Sequence, residues 1–432
     1  MLTTMGDARG ASGPSIDEEV RWYFTPGHPD RDSIRDDPYP FYDRMRDADR
    51  VYEVDGIWFV AGFTEANELV RNPSWLRHLE LPEDQRRISD GVFLDNFTFY
   101  DEPDHGRLRK VVAPAFTPGM IEKRRERIRE IVRSLLDDLR ERDEFEFINH
   151  FAGIVPAYVM GEMLGVPAGN FGDLIRWSKA RDAIAILSRV FDAAGGRAPA
   201  PKSDMELAGL AELDRAAIEC QEFFGQQIAR RETNPGDDLI SFMLADSQGE
   251  SARISHHEII NMCMSLHLAG HGTTANMLTN GLLTLGRHPQ AYRDLAADPS
   301  LIPGAVEEML RYESPVRSTV HRLAPGPVQL GTHLIPEGSI VYAMLGAANR
   351  DPEAFSDPHV FDIRRQNNRH LSFAGGPRFC IGAFLARAEL QEAFRILITE
   401  YPRLEFDLAN PRWRDSFVFR ALEELPVRWS DR

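Results

Sequence analysis

The sequence predicts a mainly α-helical fold with small β-sheets, on three observations. From about residue 105 onward, apolar residues recur at helical spacing in long segments. One segment, 254–287, is mostly apolar on all sides, as befits a central buried helix rather than a surface one. Short β-branched and aromatic runs are confined to residues 51–60 and to the stretch beyond Pro315. With 432 residues, 43% of them hydrophobic, the chain can bury a large core, and no repeat or low-complexity linker divides it.

Taken in order, "VYEVDGIWFV" (51–60) reads as two strands joined by a two-residue turn at Asp55-Gly56. "GMIEKRRERIREIVRSLLDDLRER" sets Ile121, Ile128, Val132 and Leu135–Leu136 on one helical stripe with charges around them. Further helices are expected near 148–164, 169–188 and 205–232, with a loop at 192–204. The 254–287 helix would run roughly 50 Å at 1.5 Å per residue, enough to cross a whole domain. Beyond Pro315, "VQL" and "SIVYAML" are strands between "APG" and "PEG" turns, and "LEELPVRW" is strand and turn.

The formal net charge of −17 is spread along the chain, which argues against nucleic acid as a partner. The N-terminal residues carry no apolar run, and no segment offers the ~20 uninterrupted apolar residues of a spanning helix. Cys220, Cys263 and Cys380 are odd in number and far apart, which disfavours a disulfide framework. A soluble, cytoplasmic protein without a membrane partner is expected.

The stretch that carries chemistry is "LSFAGGPRFCIGAFLARAEL", residues 371–390. Gly375 and Gly376 permit backbone closed to other residues and let something flat approach, and Pro377 stiffens the turn. Ile381, Phe384, Leu385 and Ala388 set a helical stripe, which puts Cys380 at a helix N-terminus, where the dipole favours a thiolate. Such a thiolate is a nucleophile or a metal ligand, against the blander alternative of a buried structural cysteine. Composition alone leaves these open.

"FAGGPRFCIG" resembles the haem-binding loop of the cytochrome P-450 family, with Phe373, Gly376, Arg378, Cys380 and Gly382 at the family's spacing. Ala374 departs from it, standing where glycine is usual. The resemblance implies that Cys380 is the axial thiolate of a haem b, pushing electron density toward the iron. It runs from "DDPYPFYDRMR" (36–46) to "LPVRW" (425–429), through "NRDPEAFSDP" and "FDIRRQNNRHLSF". It therefore implies one domain over 36–432, behind an N-terminal extension, 1–35, expected to be partly flexible. The implied fold is a single α-rich prism with small β-sheets, haem between the long central helix and the cysteine loop.

Three further motifs match. A haem's two propionates need cations, and the family's positions are filled here by His105, Arg109, Arg322 and Arg378. Glu308 and Arg311, with Arg365, match a buried trio expected to be structural. "AGHGTTAN", Ala269–Asn276, resembles the oxygen-activation segment. There Gly270 is expected to let the helix open for dioxygen and Thr273, followed by Thr274, to organise it and relay protons. Gly272 replaces the family's usual acid. A zinc site at Cys263, His267 and His271 is disfavoured, since the outer members of an i, i+4, i+8 series lie ~12 Å apart along the axis.

The resemblance implies a monooxygenase that uses O2 to hydroxylate or epoxidise a hydrophobic small molecule, in specialised-metabolite biosynthesis. Electrons are expected from NAD(P)H through a ferredoxin-type donor and its reductase, docking on a basic face around Arg107, Arg109, Lys110 and 123–127. Pocket contributions are expected from 80–100, 180–200, Leu266–His271, Val316–Val320 and Phe417–Phe419, with 182–189 as a lid. The substrate is free or carrier-bound, and the enzyme a monomer. Gly272 raises an alternative in which the same chemistry ends in oxidative coupling, ring closure or desaturation. A haem-thiolate sensor or gas-binding protein without turnover is the non-enzyme alternative.

Overall fold

A computed structural model describes residues 14–25, 28–78, 95, 97–183, 204–247, 253–401 and 403–431. Residues 184–189 of the expected lid at 182–189, most of the 192–204 loop, residues 80–94 of the expected pocket segment 80–100 and residues 184–200 of the segment 180–200 lie outside the described residues.

Helix α1 (Ile16–Phe24) opens with a capping box in which Ser15 and Glu18 satisfy each other's backbone N–H groups. Helix α2 (Tyr39–Ala48) follows, and then strands β1 (Val51–Val54) and β2 (Ile57–Val60). They pair antiparallel as expected, Val54 opposite Ile57. Asp55 and Gly56 both take positive φ, 54° and 81°, the primed turn that matches the twist of paired strands. Helix α3 (Phe63–Arg71) closes this region.

The chain then builds a helical body: α4 (Asp104–Val112), α5 (Pro118–Arg140), α6 (Ile154–Leu164), α7 (Phe171–Ala183), α8 (Asp204–Thr233) and α9 (Leu239–Asp246). Strand β3 (Glu144–Glu146) interrupts it after α5. Helix α10 (His256–Arg287) is the expected central helix, started by a Ser255–Glu258 capping box and ended just before Pro289. Helices α11 (Pro289–Ala297) and α12 (Ile302–Tyr312) lead to β4 (Arg322–Leu323), β5 (Val328–Leu330), β6 (His333–Ile335) and β7 (Ile340–Ala343). Helix α13 (Ala383–Thr399) and strands β8 (Leu404–Glu405) and β9 (Pro426–Trp429) complete the chain. Three small sheets result, ordered β1-β2-β7-β4, β3-β9-β8 and β5-β6.

One core fills the helical body and a second joins α1 and α2 to the first sheet. In the second, Val20, Tyr23 and Phe24 are buried with Phe41, Tyr42, Phe59 and Tyr342. The packed structure thus begins well before the expected boundary at residue 36, because α1 carries an apolar face that needs this cover. Phe417 belongs to the same core, edge-on to Phe24 and Tyr342, so this residue is not part of an open pocket.

Helices α5 and α13 are bound across their faces by Glu392, which accepts from Arg125 at 2.7 Å and Arg129 at 3.0 Å. One turn earlier on α13, Glu389 is buried and its Oε2 has no hydrogen-bond partner. Burial pushes its carboxyl up to about 8 from 4.5. A raised carboxyl favours the fold fully below pH 4.5, and that contribution is lost as pH rises toward 8. Glu389→Gln should therefore stabilise the protein at pH 7, by on the order of 3 kcal/mol. In urea titrations the gain should shrink to nothing near pH 4.5; an equal gain at both pH values would contradict it.

Candidate functional site

The cysteine loop is a chain of tight turns. Ala374 N–H donates to Leu371 O at 2.7 Å, Cys380 N–H to Phe373 O at 3.0 Å, and Gly376–Arg378 form one 3-10 turn. Gly376 has φ 64°, and a Cβ there would stand 2.7 Å from the Arg71 backbone. The close approach expected at the glycines is thus that of α3, whose last residue seats the loop. Ala374 also adopts a left-handed φ, 55°, which costs a non-glycine residue roughly 1–2 kcal/mol. The departure from glycine is therefore a strained one. Ala374→Gly should raise stability by about 0.5–1 kcal/mol, read as a higher thermal midpoint, after the flexibility that glycine adds to the unfolded chain.

Helix α13 begins at Ala383 with Gly382 as its N-cap, so Cys380 lies just outside the helix, not on its first turn. Its side chain is exposed, while Leu385 and Ala388 are buried as expected. Phe384 is exposed and leaves the predicted stripe: its neighbours Ala383 and Leu385 are buried, and only its side of the first turn faces outward. The atoms crowding the loop push the Cys380 thiol up; the Gly382 N–H, Arg109 and Arg387 pull it down. A positively charged partner at sulfur is what would make this group a thiolate. Arg387 lies over the Phe373 ring at 4.4 Å and is held by Glu307, which accepts from it at 2.7 and 2.8 Å. Burial pushes the Glu307 carboxyl up, but Arg387 and His370 outweigh it and hold it at about 2.

The four expected cations are all at least partly buried, on elements far apart in sequence. Arg378 donates to Tyr100 O at 2.7 Å and lies 3.2 Å from Asp101. Arg322 is buried in β4, its Nη2 without a hydrogen-bond partner. Its guanidinium is pushed down to about 9, first by burial and then by the charge of Arg378. His105 is buried on α4 and paired through Nδ1 with Glu102 at 2.8 Å. Arg109 turns inward and donates to Phe379 O at 2.6 Å, next to the cysteine. Two residues that the sequence did not single out join this group. Arg77 is buried, with its Nε unpartnered, and His321 Nε2 donates to Arg77 O at 2.8 Å.

Glu308 and Arg311 are fully buried on α12 and joined at 2.7 and 2.8 Å. Arg365 reaches Glu308 through Nε at 3.1 Å, as expected. On α10, Ala269 is exposed and Gly270, Thr273 and Asn276 are half-buried, whereas Gly272 and Thr274 are buried. Thr273 Oγ1 donates back to Ala269 O at 2.9 Å. The helix runs unbroken through Gly270, where a Cβ would lie 3.0 Å from Met160 Cε. Gly270 therefore admits α6 rather than opening α10. His267 and His271 turn away from the open strip, their Nε2 atoms at Leu174 O and Gly153 O, each at 2.8 Å. Among the described residues no cluster of His, Cys, Asp and Glu could hold a bare metal ion.

The expected basic docking face is partly neutralised, although Lys123 stays exposed. Arg107 pairs with Glu258 at 2.6 Å, Arg125 with Glu122 and Arg127 with Glu162, both at 2.7 Å, and Arg109 points inward. Lys110 stays exposed.

A buried set of guanidiniums with unpartnered N–H groups fits a ligand that brings its own carboxylates, and an exposed loop cysteine fits a soft metal carried by that ligand. Haem has both. The fold and this site define a haem-thiolate protein, and the comparisons agree. Residues 87–411 match the cytochrome P-450 family, to which the chain belongs. The biotin biosynthesis cytochrome P-450 of Bacillus subtilis (strain 168) is 35% identical over 396 residues, covering 90% of this chain and 95% of that protein. The cytochrome P-450 monooxygenase PikC of Streptomyces venezuelae is 34% identical, covering 91% of each. Among solved structures, P-450 BioI in complex with hexadec-9Z-enoic acid-ligated acyl carrier protein superimposes with a TM-score of 0.82 at 34% identity, over 92% of this chain and 99% of that one. The protein is a bacterial-type P-450 monooxygenase that works with haem iron, O2 and redox partners. No helix among the described residues is long and apolar enough to cross a membrane.

Proposed function

We propose that this enzyme holds haem b through Cys380 and hydroxylates or epoxidises a hydrophobic small molecule in specialised metabolism. The observation that carries the reading is the cluster of buried Arg322 and half-buried Arg378, with Arg109 donating to Phe379 O next to the exposed Cys380. Bound there, haem supplies the redox activation of dioxygen. Cys380 ligates the iron, with Arg109 and Arg387 favouring its ionised form. Phe373 and Gly382 flank the sulfur, and Gly376 keeps the loop seated on α3. His105, Arg109, Arg322 and Arg378 take the cofactor's carboxylates. Glu308, Arg311 and Arg365 brace the approach to the loop.

On the distal side, the strip Ala269, Gly270, Thr273 and Asn276 borders the reaction space. The Thr273 hydroxyl donates to Ala269 O and keeps its lone pairs for a proton from elsewhere. Turning it toward dioxygen gives up one ordinary hydrogen bond, about 0.5–1.5 kcal/mol. Gly272 brings no carboxylate, so water or a polar substrate group carries the protons. Electrons come from NAD(P)H through a ferredoxin-type donor and its reductase in the cytoplasm, and the enzyme acts as a monomer. Given the carrier-bound relative, the substrate is offered either free or on an acyl carrier protein.

The test is an optical titration of the purified ferric protein with fatty acids, polyketides, terpenoids and aromatic compounds, each free and, for acids, carrier-linked. A Soret shift confined to one class names the substrate. Turnover with a surrogate redox pair then separates enzyme from sensor, and product analysis separates oxygen insertion from coupling. A protein without a Soret band would overturn the reading.

A further inference from the structure

We propose that Arg77, which follows Trp75-Leu76 at the end of the first region of the fold, is an additional binding residue for the carboxylates of the cofactor. The inference rests on the haem reading above and extends its donor set to a residue outside the expected motifs.

Arg77 is 7% exposed. Its place is fixed by three backbone ties. The flanking Leu76 forms an antiparallel bridge with Leu323 beside Arg322. Arg77 N–H donates to Asp101 Oδ1 at 2.8 Å, and Arg77 O meets His321 Nε2 at 2.8 Å. The side chain donates once, from Nη1 to Thr98 O at 2.8 Å, the same carbonyl that Arg378 Nη1 reaches at 3.3 Å. Nε of Arg77 and Nη2 of Arg322 are left buried without partners.

Three guanidiniums, of Arg77, Arg322 and Arg378, thus lie around the Asp101 carboxylate, with Glu102 adding its charge at Arg378. Burying like charges together is costly unless anions arrive to pair them. A guanidinium with a free N–H edge suits a carboxylate. Consistently, burial first, then the charges of Arg322 and Arg378, push the Arg77 guanidinium well down. A ligand carboxylate would restore it.

The experiment compares holoprotein of the wild type, Arg77→Gln and Arg77→Lys. Haem transfer to apomyoglobin gives the rate of loss, and spectroelectrochemistry gives the reduction potential. Arg77→Gln should lose haem about tenfold faster, the scale of one charge-assisted hydrogen bond. Its potential should move negative, because a cation beside the cofactor has gone. Arg77→Lys keeps the charge without the fork and should fall between. Reconstitution with haem dimethyl ester, which has no carboxylates, should bring wild type and Arg77→Gln to the same rate. Wild-type haem loss and potential in Arg77→Gln would overturn the proposal, as would a difference in haem loss that persists with the ester. Where the glutamine variant does not fold, Arg77→Lys decides by the same two readings. A wild type without a Soret band would sink the haem reading itself, a separate result.

Discussion

A Cys380→Ala protein is expected to fold, to hold haem poorly and to oxidise no substrate. The backbone of the loop does not need the thiol: its turns are closed by Ala374 N–H on Leu371 O and Cys380 N–H on Phe373 O, and Cys380's side chain is exposed. Removing one exposed sulfur creates no core cavity, so the thermal midpoint of the apoprotein should shift little. On the proposed reading the chemistry depends on that sulfur, since the other thiols, Cys220 and Cys263, are buried and pushed up by burial. Turnover should fall by at least about a thousandfold, the upper range for losing one catalytic group. Carbon monoxide difference spectra of the reduced protein should lose the thiolate-type band. Retention of that band would remove Cys380 from its proposed place.

The second large effect is expected at Glu308, far from any reacting atom. Its carboxylate accepts two bonds from Arg311, and others from Arg365 Nε, Asn368 Nδ2 and the Asp362 N–H. Arg311 spends its remaining donors on Asn349, Pro358 and Val360 carbonyls. One side chain therefore joins α12 to the whole run that precedes the cysteine loop. Glu308→Ala leaves Arg311 buried with no counter-charge, a change that costs about 3–5 kcal/mol. Urea unfolding should show that loss as a lower midpoint, and the purified protein should be largely haem-free. A double replacement of Glu308 and Arg311 by apolar residues should destabilise less than Glu308→Ala alone, because it strands no charge. A milder Glu308→Ala than double variant would reverse this account.

Much of the fold could be read from the chain because its signals are local. Asp55-Gly56 between β-branched runs names its own turn, and an apolar segment closed by Ser255–Glu258 and Pro289 names its own helix. The cysteine loop was legible for the same reason. What stayed hidden depends on contacts distant in sequence. Arg77 reads as a surface charge, but the Leu76–Leu323 bridge, Asp101 and His321 hold it in a buried position. Glu389, in "ARAELQEAF", looks like a solvated helix position, yet the face it occupies is covered. Phe384 shows the converse, an apolar residue that faces outward from a turn whose neighbours, Ala383 and Leu385, are buried. Gly376 was readable as a demand for unusual backbone, but not that a helix end, Arg71, makes the demand.

Between Asn261 and Leu285, the positions of α10 that are not buried are Ala269, Gly270, Thr273 and Asn276. The remaining positions in that span are held by the interior on every side. This helix is therefore nearly illiterate as a writer of substrate preference: it has four letters to vary, and two of them border the oxygen chemistry. Diversification of such an enzyme toward new substrates must be written in segments that touch the substrate without holding up the core. Libraries aimed at altered selectivity should leave α10 intact apart from Ala269 and Asn276.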